Sequence, residues 1–99
     1  MRIDRIKSHF EEEAKRYDTI IQTLIPNYSQ MIEALTAIIP FNTKQSFDAI
    51  DLGCGTGTIS KAITERFPNA SITCVDVAQN MLEIARSKLG GDATMIQAD

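Results

Sequence analysis

The sequence predicts an α/β domain built on a parallel sheet, and three observations support this prediction. Runs of strand length that are rich in apolar residues occur at 47–52, 72–75 and 93–98. Amphipathic segments of helical period separate these runs, at 59–67 and 79–89. Strands that alternate with helices along a chain form parallel sheets with right-handed crossovers. The 99 residues include 43% hydrophobic and 23% charged side chains, which is the composition of one globular domain.

The first 46 residues predict two helices that precede the sheet. Apolar residues recur every three or four positions from Ile3 to Leu24, which indicates one helix with a break near Asp18. A second amphipathic segment begins at Pro26, a residue suited to the first turn of a helix, and Pro40 ends it. We expect this pair to pack against the sheet as an N-terminal helical cap, residues 1–46, with its tyrosines in the core.

The most informative stretch is the glycine-rich segment DLGCGTG at residues 51–57, which follows the first predicted strand and precedes a helix. Glycines at alternate positions let a backbone approach a ligand closely, because no Cβ intervenes. The amides that begin the next helix can then face a polar group. Asp76 ends the second predicted strand, so it should lie at the same edge of the sheet. A glycine loop beside a carboxylate predicts a nucleoside site, in which Asp76 accepts hydrogen bonds from ribose hydroxyls.

Four short motifs in this order resemble the class I S-adenosylmethionine-dependent methyltransferases. They are DLGCGTG at 51–57, Val75-Asp76, Met81-Leu82-Glu83 followed by Ala85, and Gln97-Ala98-Asp99. The resemblance implies a Rossmann-like three-layer methyltransferase fold, of which this chain has the first three parallel strands and two N-terminal helices. It also implies S-adenosyl-L-methionine as the cofactor and methyl transfer to a small-molecule acceptor. Because the family sheet has further strands, we expect residues 47–99 to be the cofactor-binding first half of a domain truncated at residue 99.

The resemblance also implies a role for each matched position. The glycine loop passes the methionine part of the cofactor, Asp76 binds the ribose, and Met81 lies against the adenine. The residues after the third strand contact the adenine amino group. The predicted cofactor-binding residues are Asp51, Gly53, Cys54, Gly55, Gly57, Asp76, Val77, Met81, Ala98 and Asp99.

Several of these residues also have a purely structural interpretation. Asp76 precedes a helix and could cap it. Met81 has the spacing of a core residue, and Asp99 could be a solvated terminus. Cys54 lies near a helix start, where a thiolate is favoured, but no partner base is nearby, so we interpret it as structural. No catalytic residue and no metal site is identified, and we expect the single histidine, His9, on the polar face of the first helix.

Three alternatives to small-molecule methyl transfer remain open. The segment Pro26-Asn27-Tyr28-Ser29 resembles a segment in relatives that make or use a carboxylated cofactor for transfer-RNA wobble uridines. The chain could also be a fragment without catalytic activity. A nicotinamide or flavin oxidoreductase is less well supported, because its fingerprint G-x-G-x-x-G would need glycine where Thr58 stands.

Charge and composition restrict the partners and the location. The net charge of −3 argues against a nucleic-acid-binding face. No apolar run approaches the roughly 20 residues that span a bilayer, and no secretory signal is recognisable, so we expect a cytoplasmic protein with reduced cysteines and no membrane contact. In the family the first strand is central. Without its neighbour, residues 47–52 would form an unpaired edge, through which the chain could self-associate.

Overall fold

The computed structural model describes the backbone of residues 2–99 and the side chains of residues 5, 8, 9, 11–13 and 15–99. Two helices come first and are followed by an alternation of strands and helices, as the sequence predicts. The elements are α1 (Arg2–Leu24), α2 (Tyr28–Ala37), β1 (Phe47–Leu52), α3 (Thr58–Arg66), β2 (Ala70–Asp76), α4 (Gln79–Leu89) and β3 (Thr94–Gln97).

The three strands form one parallel sheet in the order β1-β2-β3. Leu52 at the end of β1 lies opposite Val75, and Asp76 at the end of β2 lies opposite Gln97. All three carboxyl ends therefore meet at one edge of the sheet, which is where ligands bind in open α/β sheets. Within residues 2–99, β1 has only β2 as a neighbour, as predicted.

One face of the sheet is covered by α3 and α4, which pack on β2 as right-handed crossovers require. Ile72 and Cys74 of β2 are buried there together with Leu82 of α4. Phe67, which follows the last residue of α3, is fully buried and meets the ring of Phe47 edge-on, with 5.2 Å between centroids. Among the described side chains, Ile72, Cys74, Leu82 and Ala93 form the buried hydrophobic cluster.

The second face of the sheet is open. Ile50 is 68% exposed, Leu52 78% and Ile96 45%. The register places Val75, which is half-buried, beside these residues. The apolar composition of β2 predicts a strand covered on both faces, and that prediction is wrong for the described residues, because both crossover helices lie on the same side.

The N-terminal helices differ from the prediction in three respects. Helix α1 runs through Asp18 without a break, because the Asp18 side chain is directed into contacts with other elements instead of back onto its own helix. The main contacts of α1 are with α4 and those of α2 are with α3, so the cap lies on the helical layer and not on the sheet. Helix α2 begins at Tyr28, after Asn27 in the left-handed conformation, so Pro26 lies in the preceding turn.

The helical period of both N-terminal segments is confirmed, but much of the apolar face is exposed. Tyr17 is 39% exposed, Ile20 50% and Leu24 70%, so the expectation that Tyr17 is a core residue is wrong. Met31 on α2 is 55% exposed, and Ile38, which directly follows this helix, is 77% exposed. None of the helices within residues 2–99 combines the length and the apolar content that a bilayer crossing requires.

Candidate functional site

The glycine loop is attached to the end of β2 through its backbone. The N–H groups of Gly53 and Cys54 both donate to the carbonyl oxygen of Val75, at 2.8 and 3.0 Å. Gly53, Gly55 and Gly57 all have positive φ angles, of 68°, 56° and 81°. Residues with a Cβ rarely adopt this conformation, so the alternating glycines are what allows the loop to turn so tightly at the sheet edge.

Asp76 connects the loop to the start of α4. One carboxylate oxygen, Oδ2, accepts a hydrogen bond from the Gly55 N–H, and the other, Oδ1, accepts one from the Ala78 N–H, both at 2.9 Å. The bond from Ala78 and then the bond from Gly55 hold the pKa of Asp76 below its ordinary value, because both favour the charged form. The Asp76 side chain thus binds the N–H of Ala78, the N-cap residue of α4, and the glycine loop as well, while α4 has no side-chain cap hydrogen bond of its own.

Both close packing and a positive φ angle require a glycine at position 57. A Cβ built at Gly57 would lie 3.1 Å from the Cβ of Ala85, closer than such atoms normally approach. The last glycine of the loop therefore lets α4 pack directly against the loop. By contrast, a Cβ built at Gly53 or Gly55 would have no atom within 4 Å, so these two positions face open space.

The carboxylate of Asp51 is oriented by a serine that the sequence analysis missed. Ser60 is fully buried and donates from Oγ to Asp51 Oδ2 at 2.6 Å. The Cys74 thiol lies 3.5 Å from the same Oγ. Ser60 precedes Ile63 and Phe67 by three and seven positions, so the helical period already placed a hydroxyl on the inward face of α3.

Cys54 is a protonated thiol. Burial raises its pKa to about 12, with further contributions from the neighbouring Cys74 thiol and from the negative charges of Asp51 and Asp76. These effects outweigh the influence of the nearby helix start, which would favour a thiolate. A thiol of this kind is a poor nucleophile, which agrees with the structural interpretation of Cys54.

A second polar cluster lies beside the loop and was also missed. Lys88 Nζ lies 2.6 Å from Asp18 Oδ2 and donates to Thr56 Oγ1 at 3.2 Å and Thr58 Oγ1 at 3.1 Å. Both threonine hydroxyls also donate to Asp18 Oδ1, at 3.0 and 3.2 Å. We call Asp18, Thr56, Thr58 and Lys88 the α1–loop cluster. Asp18 lies 38 residues or more from its partners in sequence, so no local pattern could reveal it.

The other predicted residues lie at the same edge of the sheet. Ala98 donates from its N–H to the Asp76 carbonyl oxygen at 3.1 Å, which brings the end of β3 next to Asp76. Ala98 and Asp99 are exposed, Val77 is 60% exposed, and Met81 is half-buried in the first turn of α4. Among the side chains that the structure describes, no group of three or more His, Cys, Asp or Glu could hold a metal ion. His9 is exposed.

A parallel sheet with a glycine loop after β1 and a carboxylate after β2 defines the class as a Rossmann-like fold. DesVI from Streptomyces venezuelae, a solved structure, has this fold. Its TM-score is 0.63 at 26% identity, and the match covers 88% of this chain and 36% of that one. A family model described as "Methyltransferase domain" matches residues 49–99, and the chain belongs to that family.

Two curated relatives match over most of this chain. The malonyl-[acyl-carrier protein] O-methyltransferase of Acetivibrio thermocellus is 34% identical over 83 residues, which are 84% of this chain and 28% of that protein. The carboxy-S-adenosyl-L-methionine synthase of Campylobacter lari is 32% identical over 75 residues, which are 76% of this chain and 32% of that protein. The chain thus spans about a third of the length of these relatives or less.

Proposed function

We propose that this chain is the cofactor-binding half of an S-adenosyl-L-methionine-dependent methyltransferase that acts on a small-molecule acceptor. The observation that carries the proposal is the 2.9 Å hydrogen bond from the Gly55 N–H to Asp76 Oδ2. It joins the glycine loop after β1 to the carboxylate after β2, which are the two parts of a nucleoside site that the sequence predicts. Membership of the methyltransferase family supports the same assignment.

The residues at the sheet edge fit an adenosyl-methionine compound. Gly53 and Gly55 face open space, so a ligand could approach the loop backbone. The Asp76 carboxylate would accept hydrogen bonds from the ribose, and Asp51, oriented by Ser60, would bind the methionine ammonium through a charge-assisted bond. Met81, Ala98 and Asp99 would line the adenine, with Val77 and Cys54 beside them.

Bound at this edge, the cofactor would supply an electrophilic methyl group on a sulfonium, which transfers by direct in-line displacement. The contribution of the chain is to hold the donor in a fixed orientation, because alignment of donor and acceptor provides much of the rate enhancement in such reactions. Residues 1–46 would act as a helical cap and residues 47–99 as the first half of the catalytic domain. We expect little turnover from these 99 residues alone, and detectable methyl transfer by the purified chain would contradict that expectation.

The names of the relatives support the proposed acceptor class. The Acetivibrio protein methylates an oxygen of a malonyl group on acyl-carrier protein, and we infer for this protein an acceptor of the same general kind, a small acyl or other small molecule. The net charge of −3 disfavours nucleic acid as a direct partner. We place the protein in the cytoplasm, in keeping with its free cysteines, and infer that the isolated chain self-associates through β1.

A carboxylated cofactor is the second candidate, because the Campylobacter relative makes one. The two ligands differ by a single carboxylate on the transferred carbon. Isothermal titration of the chain with S-adenosyl-L-methionine and with its carboxylated form would separate the candidates. Tighter binding of the carboxylated form would favour the transfer-RNA-modifying alternative, and binding of NAD in place of both would refute the proposal.

The main test of the cofactor site is titration of S-adenosylhomocysteine into wild-type chain and Asp76→Asn. We expect the substitution to weaken binding by about 1.5–3 kcal/mol, which is the usual contribution of a hydrogen bond to a charged group. Asp48→Asn, which changes an exposed carboxylate on the same sheet, is the matched control and should bind like the wild type. An unchanged dissociation constant for Asp76→Asn, with the circular dichroism of a folded chain, would remove Asp76 from the site.

A further inference from the structure

We propose that Asp18 and Lys88 form a latch that holds α1 on the glycine loop and keeps the loop in one orientation, so that both act as positioning residues for the sheet-edge site. The latch connects three parts of the chain that are distant in sequence: α1, the loop with the start of α3, and the last turn of α4. Its consequence for cofactor binding rests on the proposed function, whereas its effect on the loop does not.

The hydrogen-bonding capacity of Lys88 is used completely within the latch. An ammonium group has three donors. Lys88 Nζ has three acceptors in reach, namely Asp18 Oδ2, Thr56 Oγ1 and Thr58 Oγ1. Oδ1 of Asp18 accepts from the same two hydroxyls, so the four side chains form a closed network. A closed network of this kind specifies one arrangement of its members, because each altered contact leaves a polar group unsatisfied.

Because the Asp18–Lys88 contact is partly buried, breaking it should cost more free energy than breaking an exposed ion pair. The side chains of Lys88 and Asp18 are 15% and 25% exposed, whereas the Arg16–Glu13 pair on the same helix is 67% and 37% exposed at 3.1 Å. Exposed pairs of that second kind contribute little, but removal of one partner from a buried pair leaves an uncompensated charge. Helix α1 thus offers both a candidate latch and a matched control pair.

The latch holds the part of the loop at Thr56, which lies between the points that Asp76 and Ala85 hold. Asp76 holds the Gly55 amide, and Ala85 packs against Gly57. Thr56, between these two glycines, is 3% exposed, and its hydroxyl points into the α1–loop cluster. Ala85 and Lys88 lie three positions apart and therefore share one face of α4. Helix α4 thus contacts the loop at two residues, Ala85 and Lys88. At Lys88, the Asp18 side chain attaches α1 to the loop as well.

Among the α1 side chains that the structure describes near the latch, two apolar ones are exposed. Tyr17 and Ile20, on either side of Asp18, are 39% and 50% exposed. Because these two side chains bury little apolar surface, we expect the polar contacts of Asp18 to contribute to the attachment of this part of α1. Opening of the latch should therefore release α1 and loosen the loop together, without unfolding the sheet.

Amide hydrogen exchange followed by NMR is the test, on wild-type chain, Asp18→Asn, Lys88→Met, the double variant and Glu13→Gln. The loop reporter is the Lys61 N–H, which donates to the Gly57 carbonyl oxygen at 2.8 Å, and the α1 reporter is the Ile25 N–H, which donates to Ile21. We expect Asp18→Asn to speed exchange at both reporters about tenfold or more, as local opening does, and to leave the β1–β2 amides unchanged. Glu13→Gln should change neither reporter.

The double variant shows whether the two residues act as one unit. Asp18→Asn and Lys88→Met should together have no larger effect than the stronger single variant, because both break the same contact. Lys88→Arg, which keeps the charge, should restore most of the protection. Faster exchange in α1 with an unchanged loop reporter would overturn the proposal, and so would equal acceleration in the β1–β2 amides, which would indicate a general loss of stability.

The dissociation constant of S-adenosylhomocysteine distinguishes a failure of the positioning role from a failure of the proposed function. If the wild-type chain binds this compound, Asp18→Asn should weaken binding about tenfold, and equal binding would overturn the positioning role while the function stands. If the wild-type chain does not bind it, the proposed function fails, and the exchange experiment alone decides whether the latch orders the loop.

Discussion

The two faces of the sheet consist of the same three strands but differ in how completely they are covered. Cys74 is fully buried and Ile72 is 4% exposed on the face under α3 and α4, whereas Ile50 and Leu52 on the other face are 68% and 78% exposed. The open face carries Ile50 and Leu52 of β1 and Val75 of β2, but these alternate with the polar side chains of Asp48, Ser71 and Thr73. The difference shows that the described residues cover the face of the sheet under α3 and α4 and leave the opposite face exposed.

The largest effect expected from this comparison is on stability. Phe67→Ala removes a fully buried ring that packs against Phe47 and should cost about 3–5 kcal/mol, enough to unfold a chain of this size. Ile50→Ala, on the open face, should change the unfolding free energy by no more than about 0.5 kcal/mol. Urea denaturation followed by circular dichroism measures the cost of Ile50→Ala, and loss of the native circular dichroism without urea reports the unfolding of Phe67→Ala. A cost for Ile50→Ala similar to that for Phe67→Ala would mean that the open face is buried in solution.

The second prediction concerns self-association of the chain through the unpaired edge of β1. Leu52→Lys places a charge on the open face beside the unpaired edge of β1 and should weaken any dimer by about tenfold or more, since charges on edge strands disfavour strand pairing. Leu24→Lys is the matched control, because Leu24 is 70% exposed on α1, away from the sheet. Sedimentation velocity over a range of concentrations gives the result. A monomeric wild-type chain, or equal effects of both variants, would contradict association through β1.

The same comparison shows which features the sequence could predict. Parallel strands, crossover helices and the meeting of Gly55 with Asp76 follow from periodicity, loop composition and connectivity, all of which are local or topological. The uncovered face could not be predicted from the apolar pattern, because β2 has the same composition whether one face or both are covered.

Tertiary contacts between distant polar residues explain what the sequence analysis missed. The sequence predicts an interruption of α1 at Asp18, since an aspartate inside a helix usually competes for backbone groups. Its partners are Thr56, Thr58 and Lys88, and no spacing rule connects residue 18 with residue 88. Ser60 was recoverable in principle, because a hydroxyl on the inward face of α3 must find a partner, and Asp51 is that partner.

The smallest predicted effect is the pH dependence at the sheet edge, where one carboxylate has both a structural and a proposed binding role. The Ala78 and Gly55 amides favour the charged form of Asp76, so its pKa in the folded chain lies below the ordinary value of 3.8. A depressed pKa adds stability that is fully present above that value and is lost as the pH falls through the pKa of the folded chain. Asp76→Asn keeps one acceptor oxygen but turns an amide NH2 toward the second N–H, so it should cost about 1 kcal/mol at pH 7, the usual contribution of one hydrogen bond, and less as the pH approaches 2.

Urea midpoints of the wild type and of Asp76→Asn, measured from pH 7 to pH 2, test this dependence, with Asp48→Asn as the control for general effects of charge. Other carboxyl groups titrate in the same range, so the informative quantity is the difference between the two proteins at each pH. A difference that narrows below about pH 4 would identify the charge of Asp76 as its source. A stability difference that does not change with pH would mean that the cost of the substitution comes from the shape of the introduced amide and not from the lost charge. The N–H groups of Ala78 and Gly55 would then not be what stabilises the charged form.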